Sequence, residues 1–339
     1  MRDTITFNDV LLVPKYSSIL SRKQIDLSVD LGKEHLNLDC PFVSSPMDTV
    51  TEVHMASAMA ESGGIGIIHR YNTISEQANL VKKAKEKTER VAAAIGVSGD
   101  YLDRALALYE SGAKVLCVDV AHGHHVLMKK ALSELKSTFG SSIHIMAGNV
   151  ATLEGFNDLA DWGADSIRVG IGGGSICSTR IQTGHGVPTL QSVLDCSKTD
   201  RDALIIADGG MKSTGDIAKA IAAGADLVMC GSLFAGTDES PGEVFSAPGG
   251  KKYKVYRGMA SVEAQRDWKG SHNSVEGIST TIPYKGSVLD IIELMKKQLS
   301  SSCSYSGAKN LKEFRNKKEF IIQSSSSQTE SSTHILSRA

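Results

Sequence analysis

The sequence lacks the patterns that define several large classes of protein. No CxxC or HExxH spacing of metal ligands occurs, and the six cysteines lie far apart, mostly within apolar runs. Such cysteines are typical of reduced intracellular thiols rather than of a disulfide framework. No apolar run is long enough to cross a bilayer, and the N-terminus has no apolar signal-peptide segment. We therefore expect a cytoplasmic protein without a membrane partner.

Charge of neither sign is in excess, since 37 basic residues stand against 38 acidic ones. A formal net charge of −1 gives no electrostatic reason to expect a nucleic-acid partner. His122, His124 and His125 are close in sequence, but no cysteine or carboxylate pattern supports a metal site there. We expect these histidines to be solvated residues of a loop and a helix start.

What the sequence does contain is a recurring unit, in which a helix end with glycine precedes a short apolar run and then a polar or glycine-bearing loop. The apolar runs are continuous rather than alternating, which indicates parallel strands covered on both faces. They predict eight strands, near residues 42–45, 65–68, 91–97, 115–119, 143–147, 166–169, 204–207 and 227–230. Helical patterns lie between them, for example over 75–87, 101–111, 125–139 and 214–223.

Eight such units predict an α/β protein of the (β/α)8 TIM-barrel class, with its chemistry on the loops that follow the strands. An open doubly wound sheet is the alternative, although it usually has fewer strands and a clear dinucleotide fingerprint. The prediction places a single barrel domain over 1–322, including an N-terminal extension over 1–40 and a flap over 237–285. The serine-rich tail over 323–339 has too little apolar content to fold and is predicted to be disordered.

The most informative stretch is Val169–Arg180, in which a strand end opens into a loop with four glycines and one cysteine, Cys177. Glycines let a backbone approach a ligand closely but cost chain entropy, so a loop this rich in glycine indicates a function. A thiol held there can act as a nucleophile when it is ionised. A buried cysteine beside a flexible turn is an equally good interpretation of this stretch alone.

Other loops offer an anion site and proton carriers. Asp208-Gly209-Gly210 and Gly231-Ser232 follow the seventh and eighth strands, where barrels of this class usually bind phosphate. Asp208 suits sugar hydroxyls, and Ser175 can donate to the same phosphate. Thr179 and Glu276 are candidates for a proton relay, although spacing alone favours a solvated turn glutamate at 276. Asp119 suits the ribose diol of a second nucleotide or, alternatively, a helix N-cap.

Taken together, the motifs resemble the IMP dehydrogenase/GMP reductase family over nearly the whole chain. The matching segments are T-F-N-D-V-L-L-V-P (6–14), S-S-P-M-D-T-V-T-E (44–52), A-G-N-V-A-T (147–152), the cysteine loop with T-G-x-G (183–186), A-D-G-G (207–210), C-G-S-L-F-A-G (230–236), Y-R-G-M-A-S (256–261) and S-Y-S-G-A-K-N-L-K-E-F (304–314). The resemblance implies a homotetrameric (β/α)8 barrel acting on a purine nucleoside monophosphate. It also implies a covalent thioimidate on the loop cysteine and hydride exchange at C2 with a nicotinamide cofactor.

The resemblance also implies a role for each matching position. Cys177 would be the nucleophile, and Thr179 with Glu276 the proton relay. The residues implied to hold the nucleotide are Met47, Ser175, Asp208, Gly209, Gly210, Gly231, Ser232, Gly258 and Met259. Those implied to face the dinucleotide are Asp119, Val120 and Ala121. Carbonyl groups implied to bind a monovalent cation such as potassium belong to Gly172, Gly174 and Cys177.

Within the family, two features favour a GMP reductase that uses NADPH. The regulatory domain pair that dehydrogenases usually carry after the I-H-R segment is absent, because 69–70 run within a few residues into a helix. The flap between Met259 and Glu276 also lacks the Arg-Tyr pair with which dehydrogenases commonly activate water. A dehydrogenase without the inserted domain and a catalytically silent nucleotide-binding barrel are the alternatives. His185 and Asn273 depart from the usual family residues, and Asn273 weakens the carry-over of local nucleotide contacts.

Overall fold

The computed structural model describes residues 3–32, 36–270 and 276–331. The strands, in chain order, are β1 (Val10–Leu12), β2 (Val29–Asp30), β3 (Asn37–Leu38), β4 (Phe42–Ser44), β5 (Ile65–Ile68), β6 (Val91–Ile95), β7 (Val115–Asp119), β8 (His144–Val150), β9 (Ser166–Val169), β10 (Leu204–Asp208), β11 (Leu227–Cys230), β12 (Phe245–Ser246), β13 (Lys252–Arg257), β14 (Ser279–Pro283) and β15 (Phe320–Ile322). The helices are α1 (Val53–Glu61), α2 (Ile74–Lys85), α3 (Tyr101–Glu110), α4 (Val126–Phe139), α5 (Leu153–Asp161), α6 (Thr179–Thr183), α7 (Thr189–Cys196), α8 (Thr214–Ala223), α9 (Val262–Lys269), α10 (Val288–Tyr305), α11 (Leu311–Asn316) and α12 (Ser325–Glu330).

Strands β4 to β11 form a closed parallel barrel, which confirms the predicted (β/α)8 fold and excludes the open sheet. The barrel closes where β11 pairs with β4, with Met229 opposite Val43. All eight predicted strands are present. Their side chains are buried on both faces, because one face fills the barrel interior and the other packs under the helices. This double burial explains why the apolar runs are continuous rather than alternating.

The predicted helices begin and end within two residues of the positions expected from the pattern. Thr73 caps α2 through a capping box with Glu76, in which each residue bonds to the backbone of the other. The last barrel helix, α10, comes only after the flap and packs between α8 and α1, so it completes the ring. None of the helices within the described ranges has the length and apolar character needed to cross a membrane.

The N-terminal extension closes the bottom of the barrel. The β2–β3 hairpin packs Leu31 and Leu38 against residues of the barrel interior such as Val43. The ring of His144, at the start of β8, hydrogen-bonds with the Leu31 carbonyl oxygen at 3.0 Å. With the amino ends of the strands covered in this way, the carboxyl ends remain for a site.

The flap and the tail both contain regular structure. Strands β12, β13 and β14 form an antiparallel sheet within the predicted flap, and α9 lies between β13 and β14.

The tail differs from the predicted disorder over 323–331. Just before this segment β15 pairs with β1, and within it Gln323 donates a backbone hydrogen bond to Asp9 and Ser324 caps α12. These contacts supply the partners that the composition alone does not reveal. Residues 332–339 lie outside the described residues.

Candidate active site

The cysteine loop follows β9 and packs against the loop after β10. Gly170 has a φ of +146°, and a Cβ atom at this position would lie 2.2 Å from the carbonyl oxygen of Asp208. Only glycine fits so close an approach. The glycine-rich composition therefore has a local cause, which is the contact between two loops at the carboxyl ends of neighbouring strands.

The far side of the cysteine loop is paired with the end of the flap. The Ser178 amide donates to the Glu276 carbonyl at 2.8 Å, and the Ile278 amide donates to the Ile176 carbonyl at 3.1 Å. These two bonds hold the backbone of Cys177 opposite Gly277, as in a short antiparallel ladder. The flap thus carries Glu276 to the cysteine, although 99 positions separate the two residues in sequence.

The three side chains named as catalytic candidates form one hydrogen-bonded chain. The Cys177 thiol donates to Thr179 Oγ1 at 3.2 Å, and the Thr179 hydroxyl donates to Glu276 Oε2 at 2.8 Å. The alternative of a solvated turn glutamate does not describe Glu276, which is partly buried and hydrogen-bonded. The arrangement can carry a proton between the thiol side and a carboxylate through one hydroxyl.

Cys177 differs from the other cysteines in its exposure. It is partly exposed, whereas five are buried: Cys40, Cys117, Cys196, Cys230 and Cys303. Burial raises the pKa of each of these five thiols, which keeps them protonated and inert. Cys177 is therefore the cysteine that a substrate in the barrel mouth can reach.

A first cavity, of about 220 Å³, lies between the cysteine loop, the loops after β10 and β11, and the flap. All nine residues implied to hold the nucleotide line it: Met47, Ser175, Asp208, Gly209, Gly210, Gly231, Ser232, Gly258 and Met259. Cys177, Thr179 and Glu276 line it as well. The sequence expectation therefore corresponds to one continuous surface in the structure.

A second cavity, of about 410 Å³, adjoins the first and extends towards Arg70 and Tyr71. Asp119, Val120 and Ala121, the residues implied to face the dinucleotide, line it. The alternative role of Asp119 as a helix N-cap is wrong, because His125 caps α4. The two cavities share Cys177, Thr179, Asp208 and Met259 among their lining residues, so the thiol lies where they meet.

Arg168 is a site residue that the sequence reasoning missed. Its side chain is only 8% exposed and points to the carboxyl end of the barrel interior. Nε and Nη2 donate to Asp208 Oδ2 at 3.0 and 2.8 Å, and Nη1 donates to Asp119 Oδ1. Burial alone would lower the pKa of the guanidinium, but the two carboxylates outweigh it and raise that pKa, so the group stays charged. A basic residue inside an apolar strand was the available signal, since such residues are rarely buried unpaired.

Two further polar side chains complete the site. The Asn149 amide donates to both the Gly170 carbonyl and Asp208 Oδ2, each at 2.8 Å, and thereby ties the cysteine loop to the same carboxylate. Tyr256, on β13, is buried in the wall of the first cavity and hydrogen-bonded to Ser175. Burial raises the pKa of Tyr256, so its hydroxyl remains a donor.

The three carbonyl groups named for a monovalent cation lie in the loop itself. The Gly174 carbonyl accepts the Cys177 amide at 3.1 Å and retains a second lone pair. The neighbouring Ile171 carbonyl accepts the Arg180 guanidinium at 3.0 and 3.1 Å. The chain therefore already holds part of this loop with its own donors. Asn273, the departure noted in the flap, lies outside the described residues.

The closed barrel and the loops around its carboxyl ends define the chain as a TIM-barrel protein with a cysteine at the mouth of two joined cavities. The family model of the IMP dehydrogenase / GMP reductase domain matches residues 4–334. The chain belongs to this family. A solved structure of a GMP reductase variant from Trypanosoma brucei, in complex with guanosine 5'-monophosphate, superposes with a TM-score of 0.92. The two chains are 30% identical, and the match covers 98% of each.

Curated relatives include both activities named in the family. The inosine-5'-monophosphate dehydrogenase of Nitrosopumilus maritimus is 35% identical over 471 residues, with 98% of each chain covered. That of Cryptosporidium parvum is 38% identical over 385 residues, covering 97% of this chain and 94% of the relative. The GMP reductase of Leishmania major is 31% identical over 480 residues, covering 98% of this chain and 97% of the relative.

The alignment lengths bear on the missing regulatory insertion. The alignments with the Nitrosopumilus dehydrogenase and the Leishmania reductase both exceed the 339 residues of this chain, so both relatives contain segments without a counterpart here. In this chain residues 69–73 alone join β5 to α2. Because one relative of each activity has extra segments, the absence of an insertion does not distinguish reductase from dehydrogenase.

Proposed function

We propose that this chain is a GMP reductase, which converts GMP and NADPH into IMP, ammonia and NADP+ through a thioimidate on Cys177. The observation that carries the proposal is the hydrogen-bonded chain from the Cys177 thiol through Thr179 to Glu276. These three side chains provide a nucleophile and a route by which protons can reach the departing ammonia. The structural likeness to a GMP reductase bound to guanosine 5'-monophosphate supports the same assignment.

In the first half of the reaction, Cys177 attacks C2 of the guanine base. The thiol proton leaves through Thr179, and Glu276 is the carboxylate that takes up and returns protons along this route. The exocyclic nitrogen gains a proton and departs as ammonia, which leaves C2 bonded to sulfur. Because Thr179 contacts both other side chains, one hydroxyl rotation serves both proton transfers.

In the second half, C2 of the thioimidate is reduced and sulfur leaves. NADPH supplies the hydride when it is bound in the second cavity. The C–S bond breaks as the C–H bond forms, and Cys177 is regenerated. The overall balance is GMP, NADPH and two protons giving IMP, NADP+ and ammonium. The position of Cys177 at the junction of the two cavities suits this order, because the same carbon must face the sulfur and then the hydride donor.

The remaining residues provide binding in this proposal. The Gly209-Gly210 and Gly231-Ser232 loops receive the phosphate at the carboxyl end of the barrel, and Asp208 accepts the sugar hydroxyls. Asp119 lies beside the dinucleotide. The second cavity is lined by Cys177 and Asp119, so a dinucleotide bound there can meet both the thiol and a carboxylate that accepts ribose hydroxyls. Stimulation by potassium and a homotetrameric assembly also belong to this proposal, and they are tested by salt substitution and by light scattering.

The second candidate function is an IMP dehydrogenase, which oxidises IMP with NAD. It is favoured by the naming of relatives, since several at 31–38% identity are dehydrogenases. Such an enzyme must hydrolyse the thioimidate with an activated water. A silent nucleotide-binding barrel is disfavoured, because Cys177, Thr179 and Glu276 are not only present but connected by hydrogen bonds.

One assay separates the three functions. The purified protein is supplied either with GMP and NADPH or with IMP and NAD, and the absorbance of the reduced nicotinamide is followed. We expect NADPH consumption with an equimolar yield of ammonia in the first mixture and no reaction in the second. NADH production in the second mixture would replace the reductase assignment with the dehydrogenase. Inertness in both mixtures, with tight GMP binding, would establish the silent barrel.

A further inference from the structure

Arg168 lines the second cavity and binds two carboxylates, Asp208 and Asp119. Asp208 lines both cavities, whereas Asp119 lines only the second. The Nε and Nη2 edge of the guanidinium faces Asp208, and Nη1 faces Asp119. The planar guanidinium of Arg168 is thus a rigid link between Asp208, which is expected to meet the nucleotide, and Asp119, which is expected to meet the dinucleotide.

The chemistry of the guanidinium makes the contact sensitive to geometry. Its donors point in fixed directions within one plane, so a rotation that improves the bonds to one carboxylate changes those to the other. Lysine would keep the charge, but its single ammonium cannot hold both carboxylates in fixed directions. The burial of Arg168 also means that water does not readily replace a bond that is lost.

Contacts from Asn149 and Arg70 limit how the hydrogen-bonded group formed by Asp208, Arg168 and Asp119 can adjust. Asn149 donates to the same Asp208 oxygen as Arg168 and also to the Gly170 carbonyl at the start of the cysteine loop. Arg70 donates from Nη2 to the Asp119 backbone carbonyl at 3.2 Å, and its Nε lies 3.7 Å from Asp119 Oδ2. Asp208 and Asp119 are therefore each held by a further residue, and Arg168 connects the two carboxylates.

We propose that Arg168 is the positioning residue that couples binding of the nucleotide in the first cavity to binding of the dinucleotide in the second. Sugar hydroxyls that donate to Asp208 hold that carboxylate in one orientation. Arg168 is then held as well, and it fixes Asp119 in the orientation that the dinucleotide meets. Each ligand thereby removes part of the ordering cost of the other, which gives positive and reciprocal coupling. This inference rests on the proposed function, since it takes a purine nucleotide and a nicotinamide dinucleotide as the two ligands.

The test uses GMP and NADP+, a pair that cannot react because neither supplies a hydride. Calorimetry gives the dissociation constant of NADP+ with and without saturating GMP, and that of GMP with and without saturating NADP+. In the wild-type protein we expect each ligand to tighten the other by the same factor, at least about fivefold. In Arg168→Lys we expect this factor to fall to about one.

The matched control is Arg104→Lys. Arg104 is also buried and also donates to several groups, namely Gln77, Asp100 and the Asn72 carbonyl, but it lines neither of the two cavities. This variant should keep the wild-type coupling factor. A thermal melt of each variant identifies a general loss of structure. Such a loss would weaken the binding of both ligands without changing the factor by which each tightens the other.

The possible outcomes separate this inference from the proposed function. A coupling factor that survives in Arg168→Lys, or that is near one in a wild-type protein that binds both ligands, overturns the inference while the reductase assignment stands. Loss of coupling in Arg168→Lys together with retention in Arg104→Lys supports it. A wild-type protein that binds neither GMP nor NADP+ overturns both.

Discussion

Replacing Glu276 with glutamine tests the proton relay directly, because the two side chains have nearly the same shape and differ in their ability to take up a proton. The Thr179 hydroxyl donates to Glu276 Oε2 at 2.8 Å, and a glutamine carbonyl oxygen can accept the same bond. The backbone bonds between the cysteine loop and the flap do not involve the side chain. The substitution therefore leaves the geometry in place and removes only the acid–base function.

The size of the effect follows from the role. General acid–base catalysis contributes about 10²- to 10⁴-fold. At about 1.4 kcal/mol for each factor of ten, this is about 3–5.5 kcal/mol of transition-state stabilisation. Loss of the charge from a hydrogen bond that remains formed should cost less than about 1 kcal/mol of folding stability. We thus expect kcat for NADPH oxidation to fall by two to four orders of magnitude, with the GMP KM within about threefold of wild type.

Glu263→Gln is the matched control, because Glu263 is an exposed glutamate in the first turn of the flap helix α9. It should oxidise NADPH at the wild-type rate. Steady-state kinetics of both variants, with a thermal melt of each, complete the experiment. If Glu276→Gln retained kcat within threefold of wild type, the relay through Thr179 would be rejected, and protons would have to reach the substrate by another route.

Three further substitutions probe the nucleophile, the loop and the scaffold. Cys177→Ala should abolish turnover and the mass adduct formed with substrate while the GMP dissociation constant stays within about threefold; residual turnover near the wild-type rate would reject covalent catalysis. Gly170→Ala should displace the cysteine loop from Asp208 and lower kcat at least about a hundredfold, because its Cβ would meet the Asp208 carbonyl at 2.2 Å; an unchanged kcat would contradict the packing. Thr73→Ala should cost about 1 kcal/mol of unfolding free energy in denaturant titrations, with kcat unchanged. The backbone amide of Thr73, which alanine keeps, and then the Thr73 hydroxyl, which alanine loses, lower the pKa of Glu76. The part of the difference that comes from the hydroxyl–carboxylate bond should therefore be present at neutral pH and shrink as the pH falls below the ordinary glutamate value of 4.5; an unchanged unfolding free energy would contradict the cap.

The barrel could be predicted because its strands are buried on both faces and its helices are not. The strands therefore appear in the sequence as continuous apolar runs, and the helices appear as a helical periodicity of apolar residues. Prediction from the sequence fails where contacts with distant segments, rather than local composition, decide the structure. Strand β8 is expected to end near 147 because Gly148 and Asn149 resemble a loop in sequence, but it continues to Val150. Gly148 pairs with Arg168 and Val150 with Val169, and Asn149 lies at the register shift between them. Likewise the serine-rich segment over 323–331 is held by hydrogen bonds from Gln323 and Gln328 to Asp9 of the N-terminal extension, which its own composition does not reveal.

Some residues of the candidate site could likewise be predicted from the sequence, and others could not. Loops after strands could be assigned from their order, so Asp208 and Gly231 were predictable as members of one surface. Glu276 could be assigned only through the family resemblance and not from loop order, because its approach to Cys177 depends on backbone pairing across 99 positions. Arg168 was missed because a single basic residue in an apolar strand shows only that a partner exists. The identity of its partners, Asp119 and Asp208, depends on the curvature of the closed barrel.

The contact between flap and loop also bears on how one barrel can serve two reactions. The flap does not merely cover the site, since its backbone forms one edge of the cysteine loop and Glu276 reaches the thiol only through this pairing. Its base is held to the barrel by Arg257, which binds Asp48 at 2.6 and 2.9 Å and Asp267 at 2.6 Å. A change in the length or residues of the flap between Met259 and Glu276 therefore alters the groups around Cys177 without disturbing the barrel loops that are proposed to bind the nucleotide. Whether the intermediate of the proposed reaction meets water or a hydride should accordingly depend on this segment. An exchange of only the residues between Met259 and Glu276, between a reductase and a dehydrogenase, should move activity while leaving nucleotide affinity nearly unchanged.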